Sequence, residues 1–167
     1  MRLAQAGQIT GSVLDVGCGT GENVLYLAEL GFAAMGVDGA PTAISKARAK
    51  AKQRGVTAQF EVADALSLSM PNRQFDSVID TGLFHVFSDE ERDRFRDSLA
   101  RVVRPGGTYF LMCFSDQQPG DWGPRRVTQA EIRSVFNDGW RVNYIEPSAF
   151  DMNEGQALSW LASISRS

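Results

Sequence analysis

Short apolar runs alternate along the chain with segments in which apolar residues recur at helical intervals. The first run, at 12–16, leads directly into a glycine-rich segment. Short runs of this kind predict buried strands, and the longer periodic segments predict amphipathic helices. We expect strands at 12–16, 32–37, 56–62, 75–80 and 108–114, with a helix at 22–30 between the first two.

The starts and ends of the other helices carry their own sequence signals. Pro41 is suited to the first turn of a helix, and Gly55 to its end. Ser88 with Glu91, and Thr128 with Glu131, have the spacing of a capping box, which predicts a helix start at each site. The helix after Ser88 is expected to end at 105–106 (Pro-Gly), and the one after Thr128 near 137.

The pattern changes near the C-terminus. Two strand-like stretches, 140–150 and 157–164, are separated only by a turn containing Met152–Gly155, which leaves no room for a crossover helix. They are therefore expected to form an antiparallel hairpin. Five strands joined by helices predict a mostly parallel, doubly wound α/β sheet, which the hairpin extends to seven strands. We predict a single domain spanning residues 1–167, since no linker is apparent.

Composition excludes several classes of protein. The 167 residues are 43% hydrophobic and 22% charged, as in ordinary globular domains. The net charge of -3 and pI near 5.2 argue against nucleic-acid binding, which normally requires a basic excess. The longest apolar run, 109–114, is too short to span a membrane. Cys18, Cys113 and the sole histidine, His85, are too few to build a zinc or iron–sulfur site, and we expect a reducing, cytoplasmic location.

Candidate chemistry collects where the predicted strands end. Ligands of open parallel sheets bind beyond the carboxyl ends of the strands, at the switch in strand order. The segments expected there are 17–21, Asp38, Asp64, 80–87 and 115–126.

Three glycines, Gly17, Gly19 and Gly21, follow the first strand. They let a ligand approach the backbone closely, although a glycine-rich turn also forms for purely steric reasons. A dinucleotide-binding loop reads G-x-G-x-x-G, whereas this chain has Glu22 at the third glycine position. A carboxylate there would repel a pyrophosphate and tolerate an amino-acid moiety, which argues against a nicotinamide oxidoreductase. Asp38, at the end of the second strand, either accepts hydrogen bonds from two ribose hydroxyls or caps the helix at Pro41.

Four blocks of sequence resemble the class I S-adenosylmethionine-dependent methyltransferases: 13–21 (VLDVGCGTG), 36–38 (GVD), 63–65 (ADA) and 99–107 (LARVVRPGG). The resemblance extends from about residue 12 to the end of the chain and implies a Rossmann-like fold with S-adenosyl-L-methionine as cofactor. It implies that the methionine moiety lies against Asp15, Gly17 and Gly19, the ribose on Asp38, and the adenine near Asp64 and Ala65, with the segment from Asp80 lining the methyl-transfer cleft.

Two further segments narrow the resemblance to small-molecule enzymes. Residues 80–87 (DTGLFHVF) and 126–133 (RVTQAEIR) are similar to the thiopurine, tellurite-resistance and heterocyclic-toxin methyltransferases. Amino-methylating nucleic-acid enzymes carry Asn or Asp followed by Pro-Pro and an aromatic residue after the fourth strand, and this chain does not. The expected acceptor is therefore a small, aromatic or heterocyclic molecule methylated on O, N or S.

The sequence allows more than one role for several residues of the expected cleft. His85 acts as a general base or orients the substrate, or else it packs against neighbouring rings. Asp80 is either a carboxylate beside the methyl donor or the cap of the following turn. An aromatic pocket for a flat acceptor is expected from Phe84, Phe87, Phe114 and Trp122, of which Phe114 is the best candidate for ordinary core. Arg125 and Arg126 are expected to be solvated.

The segment before the glycine loop is shorter than the helical lid of small-molecule relatives. Only residues 1–11 precede the first strand. This arrangement predicts a trimmed lid, a more open cleft, or closure by a second subunit in a homodimer. A different kind of protein, a truncated module that binds the cofactor without turnover, is the alternative hypothesis.

Overall fold

The computed structural model describes residues 2–152 and 155–167, which form strands and helices in alternation before a C-terminal hairpin. The strands are β1 (Ser12–Val16), β2 (Ala33–Asp38), β3 (Gln59–Val62), β4 (Phe75–Thr81), β5 (Val103–Phe114), β6 (Trp140–Met152) and β7 (Gly155–Arg166). The helices are α1 (Arg2–Gln5), α2 (Glu22–Glu29), α3 (Pro41–Arg54), α4 (Asp89–Val102) and α5 (Gln129–Val135), with 3-10 turns at Ala65–Ser67 and Phe84–Val86.

All seven strands form one sheet in the order β3-β2-β1-β4-β5-β7-β6. The first five are parallel, and β7 pairs antiparallel with both β5 and β6. The predicted mostly parallel α/β sheet with a C-terminal hairpin is therefore confirmed. The expected turn at Met152–Gly155 includes residues 153 and 154, which lie outside the described residues.

Both capping boxes are present. Ser88 and Thr128 accept the backbone N–H groups of Glu91 and Glu131, whose side chains accept the N–H groups of the two capping residues in return. Each box satisfies two backbone donors that a helix start would otherwise leave unpaired. The two helices therefore begin where the sequence predicts.

The junction between α4 and β5 differs from the prediction. The helix ends at Val102, and the strand begins at once with Val103, so the Pro105–Gly106 pair lies inside the strand rather than at the helix end. The pairing with β4 shifts register between Phe75 and Ser77, and Gly106 has a φ of 76°. An irregular strand tolerates a proline because no regular ladder hydrogen bond is required there.

The third strand is shorter than predicted. Val56 does not belong to it, because its N–H donates to the Ala51 carbonyl and completes the end of α3. Pairing with β2 starts only at Gln59. The apolar character of Val56 and Ala58 instead serves packing, since both lie against the core on the α2–α3 face.

The core has two halves, one on each face of the sheet. One half packs α4 and α5 against the central strands and includes Leu14, Val78, Phe95 and Ile132. The other lies beneath α2 and α3 and includes Val13, Leu25, Ile44 and Ile79. Within the described residues, no helix combines the length and the apolar character needed to cross a bilayer.

Candidate active site

The three glycines after β1 serve different purposes. All have positive φ, 76° at Gly17, 53° at Gly19 and 83° at Gly21, a region that L side chains rarely adopt. A Cβ at Gly21 would lie 2.6 Å from the Phe60 ring, so this glycine is required for packing. A Cβ at Gly19 would meet nothing within 4 Å, so this glycine leaves open space beside the loop. The steric and ligand-binding interpretations of the loop therefore apply to different residues.

Asp38, at the end of β2, connects this strand to the glycine loop through a hydrogen bond. Its Oδ2 accepts the Gly19 N–H at 2.8 Å, and its Oδ1 accepts the Ala40 N–H at 2.8 Å. The carboxylate thus supports the turn into α3 and the loop at once. Each carboxylate oxygen has further lone pairs, so the carboxylate retains acceptor capacity for ligand hydroxyls.

Glu22, the residue after the glycine loop, is paired with cations of α3. Its carboxylate forms ion pairs with Lys50 at 2.5 Å and Arg54 at 3.0 Å, both on α3. Hydrogen bonds from these two side chains hold the pKa of Glu22 below its usual range. Lys50 also donates to the Thr20 hydroxyl at 2.8 Å. The expected repulsion of a pyrophosphate by Glu22 is therefore weakened, because its charge is already paired.

Asp15 is a buried carboxyl group at the end of β1. The residue is 2% exposed, and its Oδ2 has no hydrogen-bond partner among the described residues. Burial, reinforced by the charge of Asp80, raises the pKa of Asp15 to about 8. An unpartnered buried acceptor is costly, so this atom is suited to a donor supplied by a ligand.

Asp80 organises the turn after β4. It is 1% exposed, and its oxygens accept the N–H groups of Leu83 at 2.7 Å and Phe84 at 3.0 Å and the Tyr109 hydroxyl at 2.9 Å. Burial raises its pKa to about 7, although the three hydrogen bonds favour the charged form. The structure therefore shows Asp80 as the cap of the turn and as a lining residue of the cavity described below, and its place beside the methyl donor stays a prediction.

His85 is buried with a defined tautomer. Its Nδ1 accepts the Phe114 N–H at 3.0 Å, which places the proton of the neutral ring on Nε2. Burial and the charges of Arg92 and Arg126 lower its pKa to about 4. At neutral pH the ring is therefore uncharged and presents an N–H donor on its Nε2 side. That side lies near Gly82, where a Cβ would be 3.6 Å from Nε2.

The four aromatic residues expected to form the pocket are dispersed. Phe84 is fully buried, with its ring centroid 6.0 Å from that of Phe136 and the Arg92 guanidinium 4.6 Å above it. A fully buried ring offers no surface to a substrate, so the structure does not support Phe84 as a substrate contact. Phe87 packs against Phe95, with centroids 5.0 Å apart, at the edge of the same core.

Trp122 and Phe114 form a separate aromatic group with Arg126. Trp122 is 48% exposed, and its ring lies 5.8 Å from that of Phe114 between centroids. Arg126 is not simply solvated, because its guanidinium donates to the carbonyls of Gln118, Gly120 and Pro124 and lies against both rings. It therefore holds the loop after β5 in place.

Asp64 and Ala65 lie at the end of β3, at the same edge of the sheet. The Asp64 carboxylate accepts the Leu66 N–H at 3.0 Å and the Ser67 hydroxyl at 2.9 Å, which caps the turn Ala65–Ser67. These bonds hold the pKa of Asp64 below its usual range. Asp64 is exposed and charged. It follows β3, the edge strand, whereas Asp38 and Asp15 lie on the neighbouring strands β2 and β1.

A cavity of about 350 Å³ opens beside the end of β4. Its polar lining residues are Arg2, Asn23, Asp80, Thr81, Ser148 and Asp151, and the Asn23 amide lies 3.4 Å from the Thr81 hydroxyl. Its apolar wall includes Leu27, Ile79, Phe110, Met112, Phe150 and Leu161, and Leu3 and Ala4 of α1 complete it. Within the described parts of the chain, no three His, Cys, Asp or Glu side chains come together as a metal site.

The cavity walls include residues that the sequence did not single out. Phe150 lies near the far end of β6, and its ring contacts those of His85 and Phe114, with centroids 6.1 Å and 5.4 Å apart. The length of the predicted hairpin was the available signal, because a strand that long reaches the ligand-binding edge of the sheet. Asn23 and Met112 carried no comparable signal.

Comparison with known proteins identifies the family. A protein-family profile described as a methyltransferase domain matches residues 13–107. The 2-heptyl-1-hydroxyquinolin-4(1H)-one methyltransferase of Mycobacteroides abscessus is 36% identical over 156 residues, which cover 92% of this chain and 69% of that protein. A structure from work on the conversion of a disulfide bond into a thioacetal group during echinomycin biosynthesis superposes with a TM-score of 0.89 at 36% identity, over 99% of this chain and 79% of that one.

The fold is also shared with a more distant enzyme whose structure contains the product form of the cofactor. Magnesium protoporphyrin IX methyltransferase from Synechocystis PCC 6803, with bound S-adenosylhomocysteine, superposes with a TM-score of 0.79 at 21% identity, over 99% of this chain and 78% of that one. The residues present here fit such a ligand, since the unpartnered Asp15 oxygen can accept from an ammonium group. The chain therefore belongs to the class I S-adenosylmethionine-dependent methyltransferases.

Proposed function

We propose that the enzyme methylates a small, flat heteroaromatic molecule, on an acidic O, N or S atom, bound in the cavity beside Asp80 and Thr81. The observation that carries this proposal is the cavity itself. Its volume of about 350 Å³ suits a drug-sized ligand, and its wall is mostly apolar, with Asn23, Asp80 and Thr81 among its polar groups. The rings of Phe110 and Phe150 offer surfaces on which a flat acceptor can pack.

The name of one relative supports an N-hydroxyl oxygen as the first acceptor atom to test. The M. abscessus protein is named for a hydroxyquinolinone that carries a heptyl chain. A flat bicyclic ring with an apolar chain matches a cavity walled by Leu27, Met112 and Leu161. We therefore propose an acceptor of this chemical class for the present chain.

The bound cofactor supplies an electrophilic methyl group on a sulfonium. What the chain contributes is the position of the two reactants, because well-oriented intramolecular reactions gain about 7–11 kcal/mol over bimolecular ones. Asp15, Gly19 and Asp38 are proposed to hold the donor, and Asp64 and Ala65 to bound its adenine pocket. Asp80 acts as a positioning residue, because it holds the turn that carries His85.

His85 does not itself line the cavity, but its ring lies 6.1 Å from that of Phe150, which does. It is proposed to orient an acceptor that reaches past Phe150, as a hydrogen-bond donor rather than as a base. Its Nδ1 is already occupied by the Phe114 N–H, so only the protonated Nε2 side is available. An acidic acceptor reaches the site as an anion and needs no base, and a donor N–H then fixes its position.

A pair of substitutions separates these two roles. His85→Gln keeps an N–H donor near the Nε2 position, and we expect it to retain kcat/KM within about tenfold of the unmodified enzyme. His85→Phe removes the donor, and we expect a loss of about 10- to 100-fold, in line with a hydrogen bond to a charged group. Steady-state kinetics checks both values, and equal, near-complete loss in the two variants would indicate a general base instead.

Filling the cavity tests its assignment as the acceptor site. Ala149 lies on the edge strand β6 and lines the cavity, so Ala149→Trp is expected to reduce methyl transfer at least tenfold. S-adenosylhomocysteine affinity should stay within about twofold, because the substitution fills only the acceptor side. Arg141→Trp is the matched control, because Arg141 is exposed and lies at the start of the same strand, away from the cavity. A cofactor affinity that falls together with transfer would place the cofactor, rather than the acceptor, in this cavity.

The function itself is tested with labelled methyl donor. The purified enzyme is incubated with deuterated S-adenosylmethionine and a panel of N-hydroxyquinolones, phenols, thiols and N-heterocycles, and the products are examined by mass spectrometry. We expect a labelled methyl group on a flat heteroaromatic member of the panel. Cofactor binding without any labelled product across the panel would instead favour the module that binds without turnover.

A further inference from the structure

Asp15 combines burial with the absence of a partner at one oxygen. It lies at the carboxyl end of the central strand β1, paired in register with Gly36 of β2 and Ile79 of β4. Within the described residues no hydrogen bond reaches its Oδ2, and no lysine, arginine or histidine forms an ion pair with it. An ionised carboxylate in this position would lack the compensation that buried charges require.

The ionisable groups that face Asp15 are all acidic. Asp80 on β4, Asp38 on β2 and the Cys18 thiol in the glycine loop surround it, and the Asn23 amide of α2 is a neutral hydrogen-bonding neighbour that only partly offsets the effect of burial on its pKa. The cations beside the glycine loop, Lys50 and Arg54 on α3, pair with Glu22. Arg2 of α1 lines the cavity together with Asp80 and Asn23. Nothing within these described surroundings neutralises a negative charge on Asp15.

We propose that Asp15 exchanges a proton for the cofactor: it is a neutral acid in the free enzyme and releases its proton to solvent when the ammonium group of the ligand arrives. The carboxyl O–H bond breaks, the proton passes to the buffer, and the resulting carboxylate pairs with the ammonium. This inference concerns the donor side alone, so it stands independently of which acceptor the enzyme methylates.

The direction of the pH dependence follows from burial. Burial raises the pKa of Asp15 to about 8 in the free enzyme, so the carboxyl group is mostly protonated at neutral pH. Binding then requires deprotonation, and affinity falls by up to about tenfold for each pH unit below that value. Between pH 7.5 and 6.0 the affinity for S-adenosylhomocysteine is therefore expected to drop by more than tenfold.

Proton release is measured directly by isothermal titration calorimetry of S-adenosylhomocysteine at pH 7 in two buffers of different ionisation enthalpy. We expect about 0.9 proton to be released per site, the fraction that a group with a pKa near 8 carries at this pH. 5′-Deoxy-5′-methylthioadenosine, which has the adenosyl group but no ammonium, is the matched ligand control and is expected to release almost none.

Asp15→Asn tests the source of the proton. The amide has nearly the same shape but cannot ionise, so the variant is expected to bind S-adenosylhomocysteine more weakly with no proton released. Its fold is checked by circular dichroism, and the pH series on the unmodified enzyme gives the result independently of the variant. Binding of S-adenosylhomocysteine by the unmodified enzyme without proton release, or the same release in Asp15→Asn, would overturn the proposal.

Discussion

Asp38→Ala is expected to weaken S-adenosylhomocysteine binding about 100-fold. The carboxylate accepts the Gly19 and Ala40 N–H groups, each at 2.8 Å, so its removal loosens the glycine loop and also deletes the proposed ribose acceptor. Hydrogen bonds to charged groups contribute about 1.5–3 kcal/mol each, and a 100-fold change in affinity corresponds to about 3 kcal/mol. Calorimetric titration gives the affinity directly.

The matched control for Asp38 is an exposed aspartate at the opposite edge of the sheet. Asp138 precedes β6, which begins beside the end of β7 and therefore far from the carboxyl ends of the parallel strands. Asp138→Ala is expected to leave the affinity unchanged. An Asp38→Ala variant that is folded by circular dichroism and still binds within threefold of the unmodified enzyme would refute the assignment of Asp38 to the cofactor site.

Alanine at Gly21 is expected to reduce mainly the stability of the fold, and alanine at Gly19 mainly the affinity for the cofactor. At Gly21, a Cβ would lie 2.6 Å from Phe60 and 2.9 Å from the Ala47 Cβ, so Gly21→Ala combines overpacking with an unfavourable φ. We expect it to lower the free energy of unfolding by about 3 kcal/mol. At Gly19 only the unfavourable φ applies, and Gly19→Ala should lower the free energy of unfolding by about 1 kcal/mol.

Cofactor affinity is expected to be reduced by Gly19→Ala even though this variant loses less stability than Gly21→Ala. The methyl group of Gly19→Ala projects into the open space beside the loop, so S-adenosylhomocysteine affinity is expected to fall at least tenfold in a protein that remains folded. Urea unfolding curves and calorimetric titrations on both variants separate the two effects. Equal loss of stability in the two variants, with normal binding by Gly19→Ala, would show that both glycines are needed only for the turn.

The fold follows closely from local sequence signals. The capping residues Ser88 and Thr128 mark two helix starts, and Pro41 and Gly55 bound a third helix. Sequence reasoning was less reliable at β5, because the Pro105–Gly106 pair is typical of a helix end but lies in an irregular strand here. The difference depends on the pairing of Val103 with Phe75, a contact between distant parts of the chain that local patterns do not encode.

The placement of the candidate residues at one edge of the sheet was predictable, but their contacts were not. The rule that ligands bind at the carboxyl ends of parallel strands brings Asp15, Asp38 and Asp80 to one edge. The tautomer of His85 depends on the Phe114 N–H, and the ion pairs of Glu22 depend on Lys50 and Arg54 of α3. Both are tertiary contacts, so local sequence patterns could neither decide among the roles left open for His85 nor show that the charge of Glu22 is paired.

We propose that the donor lies against Asp15 and Asp38 and the acceptor in the neighbouring cavity beside Asp80 and Thr81. A crystal structure of the enzyme with S-adenosylhomocysteine and a methylated N-hydroxyquinolone tests it most directly. We expect the amino group of the ligand against Asp15, its ribose at Asp38 and the quinolone ring inside the cavity beside Phe150. An adenosyl group inside that cavity, or a quinolone bound on another face of the sheet, would contradict it.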